Sequence, residues 1–248
     1  MQDTKPTIVL VHGDWADASS WSRVIERLQR DGFTVTAPPN TLRGPAADSA
    51  YLRAYLETLP GPIVLVAHSY GGFVITNAAT GLPNVKALVY VDAFIPDEGQ
   101  LLGPLPGEDS ALAAAATDPT SLFKLVPFPG APEGVLDTYL LPEVVATSFA
   151  NDLSPEEVGV IAATQRPASL AQFGDPSGPP AWKDIPAWAV IGARDRIITP
   201  EAQRQMAEHA GAEIIEVDAS HVSMISKPDV VVDAIRTAVS RIGQAVPA

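Results

Sequence analysis

Residues 62–79 read PIVLVAHSYGGFVITNAA, and this stretch decides the fold. Ile63, Val64, Leu65 and Val66 form an unbroken aliphatic run, as expected of a strand buried on both faces of a parallel sheet. Gly71 and Gly72 follow, then Phe73, Ile75, Thr76 and Ala79 recur at helical spacing, so the strand gives way to a helix across a sharp turn. Ser69 lies in that turn, flanked two positions away by the small residues Ala67 and Gly71. The pattern predicts a nucleophile elbow, which lifts a serine hydroxyl clear of the sheet beside the first N–H groups of a helix. Alanine replaces the usual first glycine of the pattern, where only smallness is needed. In isolation Ser69 reads as a helix cap; the flanking strand and helix favour the nucleophile.

Working outward, Thr7–Val11 is a second aliphatic strand, ending at His12-Gly13-Asp14-Trp15. Ser19 or Ser20 then caps a helix carrying Trp21, Val24, Ile25 and Leu28, which stops at Asp31-Gly32. Phe33–Ala37 reads as a strand, Asn40–Asp48 as a loop and Ala50–Leu59 as a helix. Beyond the elbow, Val85–Val91 is a strand ending at Asp92. Ala187–Ile191 is a strand leading to Asp195, and Glu213–Val217 one leading to His221; the helices Pro200–His209 and Pro228–Ile242 complete the alternation. Strands and helices in turn imply an α/β fold, a mostly parallel six-stranded sheet with helices on both faces.

Between Ile95 and Asp184 the alternation breaks. This segment holds thirteen acids against three bases and thirteen of the 24 prolines, which sets it apart from the core. It predicts no buried strand, only helical pieces at Ser110–Ala116, Val135–Leu140, Pro142–Phe149 and Pro155–Ala163. The expected organisation is a core of residues 1–94 and 183–248 with residues 95–182 inserted as a helical cap, a lid over the strand ends.

Composition narrows the function. There is no cysteine, which excludes thiolate catalysis, disulfides and Cys-ligated zinc, and the four histidines lack ligand spacing, so neither metal nor cofactor is expected. A net charge of −13 disfavours nucleic acid and anionic membrane as partners. Met1–Thr7 leaves no room for a signal peptide and no apolar run approaches a membrane span, so a cytoplasmic protein is expected, with a homodimer left open.

Ser69, Asp195 and His221 follow the order nucleophile, acid, base, each just past the C-terminal end of a different strand, where an open parallel sheet gathers its site. His221 would take the serine proton and Asp195 would fix its tautomer. Read singly, Asp195 is a turn former and His221 a loop residue; the joint placement favours the triad. The backbone N–H groups of Tyr70 and Asp14 are the expected oxyanion donors. The Asp14 side chain either places a carboxylate at the mouth or caps the next helix. Asp92 is an alternative acid or a hydrogen-bonding residue at the hinge of the insert. His12, His68 and His209 fit structural roles. Trp15, Tyr70, Phe94, Phe123, Phe128, Phe149, Trp182 and Met224 are candidate walls of a substrate pocket, with ordinary packing the competing role for those in the cap.

The motifs VLVHG with Trp21 downstream, VLVAHSYGG, VYVDAFIPDEG, VIGARDRIITPEAQ and DASHVSMISKP are together similar to the α/β-hydrolase superfamily. Within it the chain resembles the small esterases related to plant methylesterases and hydroxynitrile lyases. The resemblance implies a Ser69–His221–Asp195 triad and ester hydrolysis through an acyl-enzyme, with a small-molecule ester as partner. Relatives that cleave cyanohydrins carry lysine after the histidine and threonine in the His-Gly turn; here Val222 and Gly13 stand in those places. Haloalkane dehalogenases and epoxide hydrolases need aspartate at position 69. Cofactor-free dioxygenases keep a Ser–His pair, and hormone receptors keep the triad as binding proteins; a binding or sensor protein and cofactor-free lyase or oxygenase chemistry are the alternatives to an esterase.

Overall fold

The computed structural model describes residues 5–244. The leader reading thus falls in part on residues 1–4, outside the described residues. The core is a six-stranded, all-parallel sheet in the order β2-β1-β3-β4-β8-β9. Its strands are β1 (Thr7–Val11), β2 (Val35–Thr36), β3 (Ile63–His68), β4 (Val85–Val91), β8 (Ala187–Gly192) and β9 (Glu213–Val217). All six residues of β3 are buried, which is why the run needs no polar alternation.

The helices are α1 (Ser22–Arg30), α2 (Pro45–Glu57), α3 (Tyr70–Ala78), α4 (Ala111–Ala115), α5 (Pro142–Val144), α6 (Pro155–Ala163), α7 (Pro200–His209), α8 (Ser223–Ser226) and α9 (Pro228–Gln244). α1 packs with α9 and α2 with α3, giving separate helical pairs against the sheet. Two local expectations change. Asp17, rather than Ser19 or Ser20, caps the 3-10 turn Ala18–Trp21 that feeds α1, its carboxylate accepting from Ser19 N–H at 2.7 Å. α2 starts five residues earlier than expected because Pro45 supplies a preset first turn after Gly44.

The inserted segment departs most from expectation. It contains a three-stranded antiparallel sheet, β5 (Phe123–Val126), β6 (Asp137–Leu140) and β7 (Ala168–Ser169), so Val135–Leu140 is mainly strand where a helix was expected. Tyr139 pairs with Lys124 and Thr138 with Ala168, long-range pairings that fix the extended backbone. The Pro142–Phe149 piece is helical, its second half a π-helical turn, and Pro155–Ala163 is a helix closed by a capping box between Ser154 and Glu157. Among the described residues no helix is long and apolar enough to cross a membrane.

Candidate active site

Ser69 stands between β3 and α3 with φ 52° and ψ −126°, a conformation that side chains adopt at a cost of about 1–3 kcal/mol. Its surroundings hold it there. Ser69 C=O accepts from Gly72 N–H (2.9 Å) and Phe94 N–H (3.2 Å), while its own N–H donates to Val91 C=O (3.3 Å). Close approach makes the neighbouring glycines necessary. A Cβ at Gly13 would meet Ser69 Cβ at 2.6 Å, and one at Gly71 would meet Val11 O at 2.8 Å.

The three residues far apart in sequence meet. Ser69 Oγ lies 2.8 Å from His221 Nε2, and His221 Nδ1 lies 2.7 Å from Asp195 Oδ2. Asp195 Oδ1 accepts from Ile197 and Ile198 N–H (2.8 and 3.0 Å), and Oδ2 also accepts from Gln203 Nε2 (2.7 Å). Burial pushes the Asp195 carboxyl up, whereas these N–H donors favour the carboxylate. With the carboxylate accepting, Nδ1 carries the imidazole proton and Nε2 is free to accept from the serine. Burial pulls the His221 imidazolium down to about 3, so the ring is neutral across the neutral range and its Nε2 lone pair is available. Such a chain can deprotonate the serine as it attacks.

The remaining polar residues brace this chain. Asp92, with φ 47°, does not bond the imidazole; it accepts from Gly192 N–H (2.8 Å) and Ser223 N–H (2.9 Å), tying the end of β8 to the loop bearing His221. Burial, and then the Asp195 charge, raise its carboxyl well above the carboxylate range. His68 Nε2 donates to His221 C=O at 2.7 Å, and burial holds its ring neutral. His12 donates from Nδ1 to Gly13 C=O (2.9 Å) and accepts at Nε2 from Asn40 N–H (2.9 Å), which fixes the turn before Asp14. His209 is exposed and bonds Asp97 at 2.8 Å. Among the described residues no three His, Asp or Glu side chains gather as a metal site.

The turn His12–Trp15 lies against the elbow, and neither Asp14 N–H nor Tyr70 N–H has a hydrogen-bond partner among the described residues. The Asp14 side chain corrects the expectation of a charge at the mouth. It is buried against Gln172 of the insert, whose Nε2 donates to Oδ2 at 2.8 Å, and burial pushes its carboxyl up to about 8. Nor does it cap the next helix, a role taken by Asp17.

A cavity of about 360 Å³ opens beside the site between α1, α6 and the His221 loop. Trp15, Phe149 and Met224 line it as expected, with Ile161, Val222 and Ile225. Ser69, only 2 % exposed, is not among its walls. Phe149 faces both sides, its ring 5.2 Å from the His221 ring. Phe123 stacks on Trp15 at 5.5 Å and borders a second hollow of about 160 Å³.

The other candidate walls lie elsewhere. Phe94 is buried behind the elbow, and Tyr70 is buried with its hydroxyl donating to Asp48 (2.7 Å). Phe128 packs under the Arg43 guanidinium at 4.7 Å, and Trp182 donates to Pro96 C=O (2.9 Å) with its ring edge-on to His209. Gln203 and Gln172 were not anticipated. Gln203 carries a weak signal, a polar residue on the inward face of α7 beside buried Met206 and Ala207; Gln172 carries none.

Residues 8–234 match the model of the alpha/beta hydrolase family, and the chain belongs to that family. It is 33% identical over 150 residues to the carbendazim hydrolyzing esterase of Nocardioides sp., covering 48% of this chain and 62% of that protein. It is 27% identical over 254 residues to methylesterase 9 of Arabidopsis thaliana, covering 92% and 95% of the two chains. A solved methylesterase from Arabidopsis shares the fold with a TM-score of 0.77 at 20% identity, over 95% of this chain and 99% of that one.

Proposed function

We propose that the protein is a serine carboxylesterase that cleaves small to medium, neutral carboxylic esters through an acyl-enzyme on Ser69. One observation carries the reading: the continuous relay from Ser69 Oγ through His221 to Asp195, at 2.8 and 2.7 Å, on a serine held in a strained turn. Ser69 Oγ attacks the ester carbonyl while His221 Nε2 takes its proton. Asp195 stabilises the resulting imidazolium, and the Asp14 and Tyr70 N–H groups receive the oxyanion. The tetrahedral intermediate collapses, His221 returns the proton to the departing alkoxide, and the alcohol leaves. Water then attacks the acyl group with His221 again as base, releasing the acid and restoring the serine.

The cavity bounded by Trp15, Phe149, Ile161, Val222 and Met224 supports an apolar substituent of the ester. Its rim carries Asp17, Glu156 and Glu157 against Arg23, a balance that disfavours anionic esters. The cap reading of residues 95–182 belongs here too: the segment supplies Phe149 and Ile161 to the cavity and Gln172 to the oxyanion turn. The working compartment is the cytoplasm.

The test is turnover of p-nitrophenyl acetate and butyrate with labelling by a serine-directed phosphonate. Wild-type protein hydrolyses and is labelled at Ser69, whereas Ser69→Ala does neither. A folded wild-type protein that neither turns over nor labels overturns the assignment.

A further inference from the structure

The oxyanion turn carries a side chain that the proposed reaction does not use. Asp14 is buried against Gln172, which arrives from the insert 158 residues away and donates from Nε2 to Oδ2 at 2.8 Å. Each partner is left with one unpaired buried atom among the described residues, Asp14 Oδ1 and Gln172 Oε1. With Asp14 as a carboxylate both are acceptors, and neither can satisfy the other. A single proton changes the count. Oδ1 becomes an O–H donor, Oε1 is an acceptor on the same partner, and a carboxylic acid facing a primary amide can make two hydrogen bonds.

We propose that Asp14 works as a neutral carboxylic acid paired with Gln172, and that the pair positions the Asp14 N–H by clamping the insert to the oxyanion turn. The positioning role rests on the esterase reading; the protonated pair does not. Asp14 and Gln172 are thus positioning side chains, acting through a backbone donor.

The surroundings agree. The Asp48 carboxyl on α2, bonded by the Tyr70 hydroxyl of α3, adds negative potential that favours the proton on Asp14. Asp175 of the insert acts on the same Tyr70, which also feels Asp14. His12 on the turn itself is neutral and faces Asp17 and Arg166, its proton committed to Gly13 C=O. Burial, the largest influence on Asp14, pushes its carboxyl up to about 8. Ionisation therefore occurs on the alkaline side. It removes the second bond of the pair, sets a second anion near Asp48 and frees the turn.

Two measurements test this. The first is kcat/KM for p-nitrophenyl butyrate across an alkaline pH series. Wild type steps down to a plateau about tenfold lower across the Asp14 limb, the loss that Gln172→Leu shows at every pH, whereas Asp14→Asn, an amide pair that makes two bonds without titrating, shows no such step. Gln172→Leu lowers kcat about tenfold with KM little changed. The second is an infrared difference spectrum, wild type minus Asp14→Asn, at neutral pH. It shows the C=O stretch of a protonated carboxylic acid, which disappears on alkaline titration; if that variant does not fold, wild type minus Gln172→Leu, both labelled with 13C-aspartate, shows the band displaced by loss of the partner and separates Asp14 from the buried Asp92 carboxyl. An absent band overturns the pair. A band with an alkaline limb unchanged in Asp14→Asn overturns the positioning role. If no variant hydrolyses esters, the band still decides the pair, so the two readings fail separately.

Discussion

Replacing Gly13 by alanine attacks the site without removing any reacting group. The new Cβ would fall 2.6 Å from Ser69 Cβ, 2.8 Å from His68 O and 3.1 Å from His68 Nδ1. None of these is the free end of a flexible side chain. Ser69 is locked in the elbow by three backbone hydrogen bonds, and His68 is held by its bond to His221 C=O. The turn itself must therefore yield. Overpacking of this kind costs about 1–3 kcal/mol, and at about 2–4 °C per kcal/mol for a chain of this size the melting temperature falls by about 2–12 °C. The larger effect is on rate. Under the proposed mechanism, moving the turn carries Asp14 N–H off the oxyanion, and losing one such donor costs about 10²–10³ in kcat. KM changes little, because the charge the donor meets is absent from the bound ester. Steady-state hydrolysis of p-nitrophenyl butyrate and a thermal melt measure the two parts. A Gly13→Ala protein within about twofold of wild type in kcat and unchanged in melting temperature refutes the close-packed turn as the source of the second donor.

Asp195→Asn leaves the shape of the site but lets His221 adopt the wrong tautomer, and kcat drops by on the order of 10⁴ while the protein stays folded; stopped-flow and circular dichroism check the two halves. Phe149→Ala removes the ring beside His221 and joins the site to the 360 Å³ cavity. It destabilises by about 3–5 kcal/mol in a urea melt and shifts ester preference towards bulkier groups. Stability should respond to pH through two buried groups of opposite sign. Asp14 binds its proton more tightly folded than unfolded, so stability is lost as pH rises from 3.8 towards about 8, and Asp14→Asn removes that slope, on the order of 5 kcal/mol at most. His221 holds its proton less tightly folded, so stability is lost as pH falls from 6.5 towards about 3, and His221→Gln flattens that limb.

The central core was legible because double-sided burial writes itself into sequence as aliphatic runs, as in Thr7–Val11 and Ile63–Val66; the edge strand Glu213–Val217 is only partly buried, and it and Val85–Val91 also have the expected bounds. The convergence of Ser69, Asp195 and His221 was legible because each follows a strand, and parallel strands end along one edge. The insert was not. Phe123–Val126 and Asp137–Leu140 are four residues long, each followed within two residues by a proline, and their extended backbone is fixed by pairing with each other and, for the second, with Ala168–Ser169. Nothing local in DTYL distinguishes that from a helical turn. The walls failed for a similar reason: aromatic character marks Trp182 and Phe128 for packing but not the neighbours they pack with. Asp14 looked like a surface charge because the glutamine that buries it lies 158 residues away.

Ser69 and His221 are both closed off from solvent. Ser69 is 2 % exposed and His221 fully buried, with the Phe149 ring 5.2 Å from the imidazole and Trp15 packed edge-on against Phe149. Under the proposed chemistry the second half-reaction needs a water molecule at His221 Nε2, and its route runs through the space the leaving alcohol has just vacated. Release of alcohol should therefore outrun release of acid, giving a burst in the first turnover. A small alcohol added to the solvent should compete with water for the same channel and divert the acyl group into transesterification.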